Sequence, residues 1–502
     1  MSLEKQDNNK ITESSKNTPN VKKNFFLNTL YEVLCVITPF ITTPYLSRVL
    51  GADQIGVNSF VCSIQTFFVM FSVLGAASYG GREIARNRDN IQNLSRVFWE
   101  VEFLIIITSS ITMAGWFLLI LFTNQYKIYY LILTLGIINS IFNISWFYAG
   151  LEQFKYTILK NTIVKIIGIV MILTLVKKPE DLYKFILINS AFGLLGSISM
   201  WFTLKKFLVK VKFRELKIFR HLKGTLIFFI PTIATSIYTV LDKTLIGLIT
   251  KEEAQNGYYE QANKILNIVK VFVFGSLNGV MGSRISYLFA KNKTEEIKER
   301  IDKSINFVLL IGIGCCFGLT GVMKNFVPFF FGPGYEQVTT LIYILSPIVL
   351  IIGISNCLGS LYYAPAGKQI ESSIYLIIGA TCNLVANIFL IPRFKAFGAA
   401  IGSIIAETII TIIFFSRCHG YYSLKKLISA LYKKLIAGIV MFSYLCLIDR
   451  FVKLPNLPLL AIQITGGIII YFVLLLVMKD SIMQLVLNLN IIKKIRSKFT
   501  GK

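Results

Sequence analysis

Residues 459–478 read LLAIQITGGIIIYFVLLLVM, a run with no charged side chain. Wound as an α-helix at ~1.5 Å per residue, it spans about 30 Å, the thickness of a bilayer's hydrocarbon core. One such run could be a buried core helix. Thirteen more lie upstream, at 25–46, 58–79, 98–122, 128–149, 157–176, 183–204, 224–248, 259–289, 304–323, 338–364, 371–391, 397–416 and 435–449. Each ends at charged or turn residues. The block at 259–289 is long and carries charge, so part of it is expected to be loop or strongly tilted. Hydrophobic residues make up 54% of the 502 residues and charged ones 16%, against about 25% charge in soluble domains. The expected fold is all-α and membrane-integral, with fourteen transmembrane helices.

The formal net charge is +26. In a soluble chain that would suggest nucleic acid. Here its distribution along the chain gives another reading, with no nucleic-acid partner. With the N-terminus placed in the cytoplasm, the inner segments carry 35 Lys and Arg and the outer segments 10. That asymmetry follows the positive-inside rule, supports an even number of spans and puts both termini in the cytoplasm. Tyr126, Tyr129, Tyr130, Trp146, Tyr148, Tyr183, Tyr362 and Tyr363 stand at block ends, where amphipathic rings prefer to lie. Residues 1–23 are polar, read as a disordered cytoplasmic tail without the apolar core of a signal peptide. The eight cysteines have no CxxC spacing and read as small hydrophobes. The two histidines, His221 and His419, fall in polar loops, so no metal site is expected. There is no GxxxxGK[ST] loop for an ATP-driven pump. Short connections argue against a membrane enzyme of polysaccharide assembly, and the chain is read as no enzyme.

The halves echo one another. Block four ends Trp146-Phe147-Tyr148-Ala149-Gly150 and block ten ends Leu361-Tyr362-Tyr363-Ala364-Pro365. Block six holds Phe192-Gly193 and Gly196-Ser197; block twelve holds Phe397-Gly398 and Gly402-Ser403. Matches six blocks apart in the same order imply two six-helix lobes in a parallel repeat. The expected domains are an N-lobe over 24–204, a basic linker over 205–223, a C-lobe over 224–416, and helices thirteen and fourteen with a basic tail over 417–502.

Five ordered stretches carry a family resemblance. They are Thr43-Pro44-Tyr45-Leu46-Ser47-Arg48-Val49-Leu50-Gly51-Ala52, Gly80-Gly81-Arg82-Glu83-Ile84-Ala85-Arg86, and Tyr148-Ala149-Gly150-Leu151-Glu152. Pro231 with Leu241-Asp242-Lys243 and Ile246-Gly247 is the fourth, and Asn383, Asn387, Pro392, Gly398-Ala399-Ala400 and Glu407 the fifth. Together they resemble Wzx-type polysaccharide flippases, whose superfamily includes the MATE drug exporters and the lipid II flippase. The resemblance runs from about residue 24 to 478. It implies two pseudo-symmetric six-helix lobes around a central cavity, with the last two helices packed outside. It also implies transfer of undecaprenyl-diphosphate-linked oligosaccharide repeat units to the outer leaflet by alternating access, for capsule or exopolysaccharide assembly. The implied setting is a bacterial cytoplasmic membrane, among membrane lipids, with a polysaccharide polymerase and glycosyltransferases as partners. A lipid II-type flippase and a MATE-type cation-coupled drug exporter are the alternatives.

A charge at membrane depth costs about 2.5–3.5 kcal/mol or more, so each needs a reason. The basic candidates are Arg48, Lys160, Lys165, Lys184, Lys243, Lys264, Lys270 and Arg284; the acidic ones are Glu32, Asp242 and Glu407. Cations in a wet cavity would offset the desolvation of a diphosphate, and Arg can bind it bidentately. Arg48, Lys165 and Lys270 are the first choices for that contact, with Lys243 and Lys264 behind them. Lys184 and Arg284 read as interfacial anchors. Asn28, Asn139, Asn143, Tyr238 and Asn278 suit sugars. Glu32, Asp242 and Glu407 are the candidates for H+ or Na+ coupling; no other cofactor is expected. A drug exporter of organic cations would favour an acidic cavity, and the eight basic candidates against three acidic ones argue against it. Pro39 and Pro44 are expected to kink the first helix.

Overall fold

The computed structural model describes residues 21–487, with backbone only for several helical stretches, among them 21–36 and 274–284. Every element among the described residues is helical. Nine helical runs are long and apolar enough to cross a membrane, by length and composition among the described residues. The chain is therefore a multi-pass membrane protein. It divides into two compact units, one up to Val240 and one from Leu241.

The first unit opens on α1, Val21–Val73. The apolar blocks fall mainly on helix, and α1 holds the first and most of the second. The turn that parts them is a single residue. Gly51 takes φ 75°, ψ 171°, a conformation open to glycine and closed to side chains bearing a Cβ. Pro39 and Pro44 sit within helical backbone, and the break comes at Gly51 instead. There follow α2 (Ala76–Asn87), α3 (Ile91–Phe122), α4 (Lys127–Phe142), α5 (Ser145–Gly150), α6 (Phe154–Leu175) and α7 (Leu182–Leu204). Phe98, Val101 and Ile105 of α3 bury against Trp146, Phe147 and Tyr148 of α5 and Met200 of α7.

The basic stretch 205–223 is built into the first unit. Val209 N–H donates to Ser95 Oγ (3.0 Å) and Lys217 N–H to Glu100 Oε1 (2.7 Å). Arg220 Nη2 and His221 Nε2 both reach Glu100 Oε2, at 2.6 and 2.8 Å. His221, read as a loop histidine, is in fact buried between Glu100 and Tyr79. The helix that follows, α8 (Leu222–Thr250), carries the boundary between the units.

The second unit contains α9 (Glu253–Ala290), α10 (Thr294–Phe331), α11 (Glu336–Leu345), α12 (Ile348–Leu358) with a π-turn over Gly359–Tyr363, α13 (Gln369–Ser416), α14 (Leu424–Phe451), α15 (Asn456–Val477) and α16 (Ser481–Leu487). The charged block 259–289 is one uninterrupted helix, which removes the loop from the two expectations of loop or strong tilt. Its charges do not break it, because Glu260 lies between Lys264 of its own helix (4.0 Å) and Lys243 of α8 (2.5 Å). At 38 residues it is about 57 Å long,, so it extends past the hydrocarbon. The first turns of α10 are laced by Lys298–Glu295 and Lys303–Glu299, the spacing at which helix side chains meet. Within α13, Lys395 (φ 52°) interrupts the helix between blocks eleven and twelve.

The two paired-aromatic ends make matching contacts. Tyr148 donates its hydroxyl to Met200 O (2.7 Å), and Tyr363 donates to Phe414 O (3.0 Å), over 52 and 51 residues respectively. The paired-aromatic ends thus do the same job in each unit. The glycine match does not. Gly196 stands four residues before Met200, whereas Gly402 stands twelve before Phe414, so the two glycine pairs are out of register.

Candidate functional site

The polar groups that matter most are gathered in the second unit around Asp242, on α8. This carboxylate is 1% exposed. Tyr259 Oη (2.5 Å) and Ser403 Oγ (2.6 Å) donate to its Oδ2, and Asn387 Nδ2 (2.6 Å) donates to its Oδ1. Asn387 Nδ2 also reaches Asn383 Oδ1 at 3.1 Å. Asn383 and Asn387 are four apart in the first half of α13 and so share one helix face. Ser403 comes from the second half, beyond the Lys395 break. Three chain segments therefore converge on one buried carboxylate. Donors on both oxygens offset the desolvation of a charge that would otherwise be prohibitive.

Among the described residues, Asn387 Oδ1 and Asn383 Nδ2 make no hydrogen bond of good geometry, although the Asn383 side chain faces Asp242. Orphaned buried polar atoms are rare and call for an explanation, a bound ion or water being the usual one. The oxygens of Asp242, Asn383, Asn387, Ser403 and Tyr259 are a hard-donor set suited to a proton or an alkali cation. Asn387 reaches Asp242 past Gly402. A Cβ at that glycine would lie 2.3 Å from Asn387 Oδ1, so a side chain at position 402 would displace the Asn387 amide.

The remaining expected residues fall as follows. Glu407, buried on α13, interacts electrostatically with Lys270 of α9. These two, assigned separately to ion coupling and diphosphate contact, thus lie within each other's electrostatic reach without forming a close ion pair. Lys243 and Lys264 flank Glu260, a carboxylate the sequence reading passed over. Arg48 and Lys165 belong to the first unit. Arg48 is exposed three residues before the Gly51 break, and Lys165 is half-buried in mid-α6. Lys184 pairs with Asp181 at 2.6 Å where α7 begins, as an anchor should. Glu32, Asn28, Lys160, Tyr238, Asn278 and Arg284 have side chains outside the described residues.

The acidic tally of three was too low. Glu100, Glu102 and Glu260 also lie inside apolar blocks. Glu100 holds the basic stretch. Glu102 is fully buried, and neither of its oxygens has a hydrogen-bond partner among the described residues. Tyr259 was missed as well. Nothing in its surroundings in the sequence marks a tyrosine that will meet an aspartate 17 residues away.

Comparison with known proteins places this geometry in context. The profile of the polysaccharide biosynthesis protein family matches residues 21–282. A putative O-antigen transporter of Escherichia coli (strain K12) is 25% identical over 383 residues, covering 75% of this chain and 91% of that protein. A putative O-antigen transporter of Shigella dysenteriae is 24% identical over 406 residues, covering 78% and 98%. Among solved structures, the lipid II flippase MurJ in an inward closed conformation superimposes with a TM-score of 0.70 at 15% identity. That match covers 91% of this chain and 100% of that one, a likeness of fold.

Proposed function

The chain belongs to the polysaccharide biosynthesis protein family, and from that premise we propose that it is a flippase for polyprenyl-diphosphate-linked oligosaccharide. It carries the repeat unit from the inner to the outer leaflet of a bacterial cytoplasmic membrane by alternating access, feeding capsule or exopolysaccharide assembly by glycosyltransferases and a polymerase. It crosses the membrane fourteen times, with both termini in the cytoplasm, as the distribution of Lys and Arg favours.

The observation that carries this reading is the set of charges in otherwise apolar helices, with Asp242 and Glu407 buried and Lys270 half-buried. Charge at membrane depth belongs to transport pathways. Similarity to putative O-antigen transporters, over nearly their full length, supports a lipid-linked glycan as the substrate class. Arg48, Lys165, Lys270, Lys243 and Lys264 are the cations assigned to the diphosphate. Asp242, with the oxygens gathered on it, is the first choice for coupling to H+ or Na+, and Glu407 and Glu32 follow.

Deletion of the gene tests the proposal. The expected result is polyprenyl-linked repeat units trapped on the cytoplasmic side and loss of surface polysaccharide. Unchanged surface polysaccharide in a strain without a redundant flippase would refute it. Concentrative export of organic cations by the reconstituted protein would replace it with the drug-exporter reading.

A further inference from the structure

The stretch 205–223 carries eight Lys and Arg against a single acidic residue, Glu215. It leaves α7 and enters α8, both apolar helices, so its two ends emerge at one membrane surface. It is pinned there by its inward-facing groups. Glu100 holds Lys217 N–H, Arg220 and His221, and Glu215 is taken by Arg96 at 2.9 Å. The outward side is left with Lys205, Lys206, Lys210 and Lys212, all exposed, with no ion pair among the described residues. The contrast with 291–303 is direct, since there Lys293, Lys298 and Lys303 are paired with Glu296, Glu295 and Glu299.

The charge bias alone would follow from topology. The aromatic side chains between the lysines do not. Phe213 is 69% and Phe219 68% exposed, although each sits in an ordered 3-10 turn. Phe213 meets Phe103, which meets Trp99, which meets Trp201. A run of half-exposed Trp and Phe at the end of apolar helices marks the depth of the headgroup boundary. Lysines with uncovered phenylalanines at that depth form the pattern of a segment lying in an anionic interface.

We propose that residues 205–223 are a docking surface for anionic phospholipid, with Phe213 and Phe219 seated at the acyl boundary and Lys205, Lys206, Lys210 and Lys212 on the headgroups. The occupant is a bilayer phospholipid such as phosphatidylglycerol, by charge complementarity and by the position of the stretch between two apolar helices. This does not rest on the flippase reading. A drug exporter with the same segment would bind the same lipid.

The test uses the full-length protein in nanodiscs of phosphatidylcholine, with or without phosphatidylglycerol. A bimane label at Phe219→Cys, in a chain freed of its native cysteines, reports depth. Quenching by brominated lipid chains is expected, stronger with phosphatidylglycerol present. Native mass spectrometry then counts retained phosphatidylglycerol. Each basic residue near an anionic surface contributes about fivefold in affinity. Replacing Lys205, Lys206, Lys210 and Lys212 together by Gln should therefore lower retention by on the order of tenfold or more, while Lys298→Gln with Lys303→Gln should leave it unchanged. A label quenched only by aqueous iodide in both lipids would overturn the proposal. So would equal retention in the fourfold variant. Displacement of phosphatidylglycerol from this face by polyprenyl diphosphate would overturn it too, and assign the surface to substrate.

Discussion

Asn387 donates its side-chain N–H to Asp242 Oδ1 at 2.6 Å, and the bareness of Gly402 is what lets it. A glycine on one half of a broken helix thus controls the environment of a carboxylate on another helix. Gly402→Ala should push Asn387 away. Overpacking of this kind costs about 1–3 kcal/mol. The expected outcome is a modest fall in melting temperature in detergent and a large loss of complementation in a flippase deletion. Full complementation at normal membrane levels would mean that Asn387 is not needed on Asp242.

Asp242→Asn keeps the shape and removes the charge. If the cluster holds the coupling cation, transport by the variant in proteoliposomes should no longer respond to an imposed sodium or proton gradient, and substrate should still bind. The wild type names the ion, since one gradient should drive transport and the other should not. A variant that keeps full gradient dependence would move coupling to Glu407 or Glu32.

The second unit also contains a buried ion pair away from the candidate site. Lys434 of α14 is wholly buried and donates to Asp480 Oδ2 (2.8 Å), Ala430 O (2.9 Å) and Asn306 Oδ1 (3.3 Å), so α10, α14 and the turn after α15 meet at one ammonium. Removing one partner of a buried pair strands the other, at a cost of about 3–5 kcal/mol, while replacing both by apolar residues is often neutral. Lys434→Met and Asp480→Leu should each lower the melting temperature markedly, and the double variant should recover most of the loss. Additive losses in the double variant would show that the pair does not act as a unit.

The helices were legible because apolar blocks bounded by charge leave few alternatives in a bilayer. The break at Gly51 could be read from a glycine between two blocks, and the Tyr148 and Tyr363 echo from a repeated aromatic end. The glycine echo misled, because small residues serve close contacts wherever helices approach, whatever their register. At the site, Asp242, Asn383, Asn387 and Ser403 could each be singled out, but not their meeting, since hydropathy says nothing about which helix faces which. Glu100, Glu102 and Glu260 were hidden by strongly apolar neighbours. The buried role of His221 was hidden by the polar residues around it, because its partners Glu100 and Tyr79 are 121 and 142 residues distant.

Lys270 poses the sharpest choice, because Glu407 gives it an occupation other than substrate. Lys270→Ala should abolish most transport on either account, by leaving the diphosphate uncontacted or by leaving Glu407 buried without its counter-charge. The double variant Lys270→Ala with Glu407→Gln separates the two. With no charge left to strand, a lysine that serves only Glu407 would be dispensable, and complementation should return. A lysine that meets the diphosphate would still be missed, and the double variant should stay inactive at normal membrane levels. We expect the second outcome. Arg48→Ala and Lys165→Ala should likewise lose activity, and Lys184→Ala, which removes only the pairing with Asp181 at the start of α7, should keep most of it. Arg48→Lys then reports geometry, since a point charge preserves part of the function and a bidentate requirement preserves little. Recovery in the double variant, together with full activity of Arg48→Ala and Lys165→Ala, would move the diphosphate to Lys243 and Lys264, where Glu260 already sits between two ammonium groups.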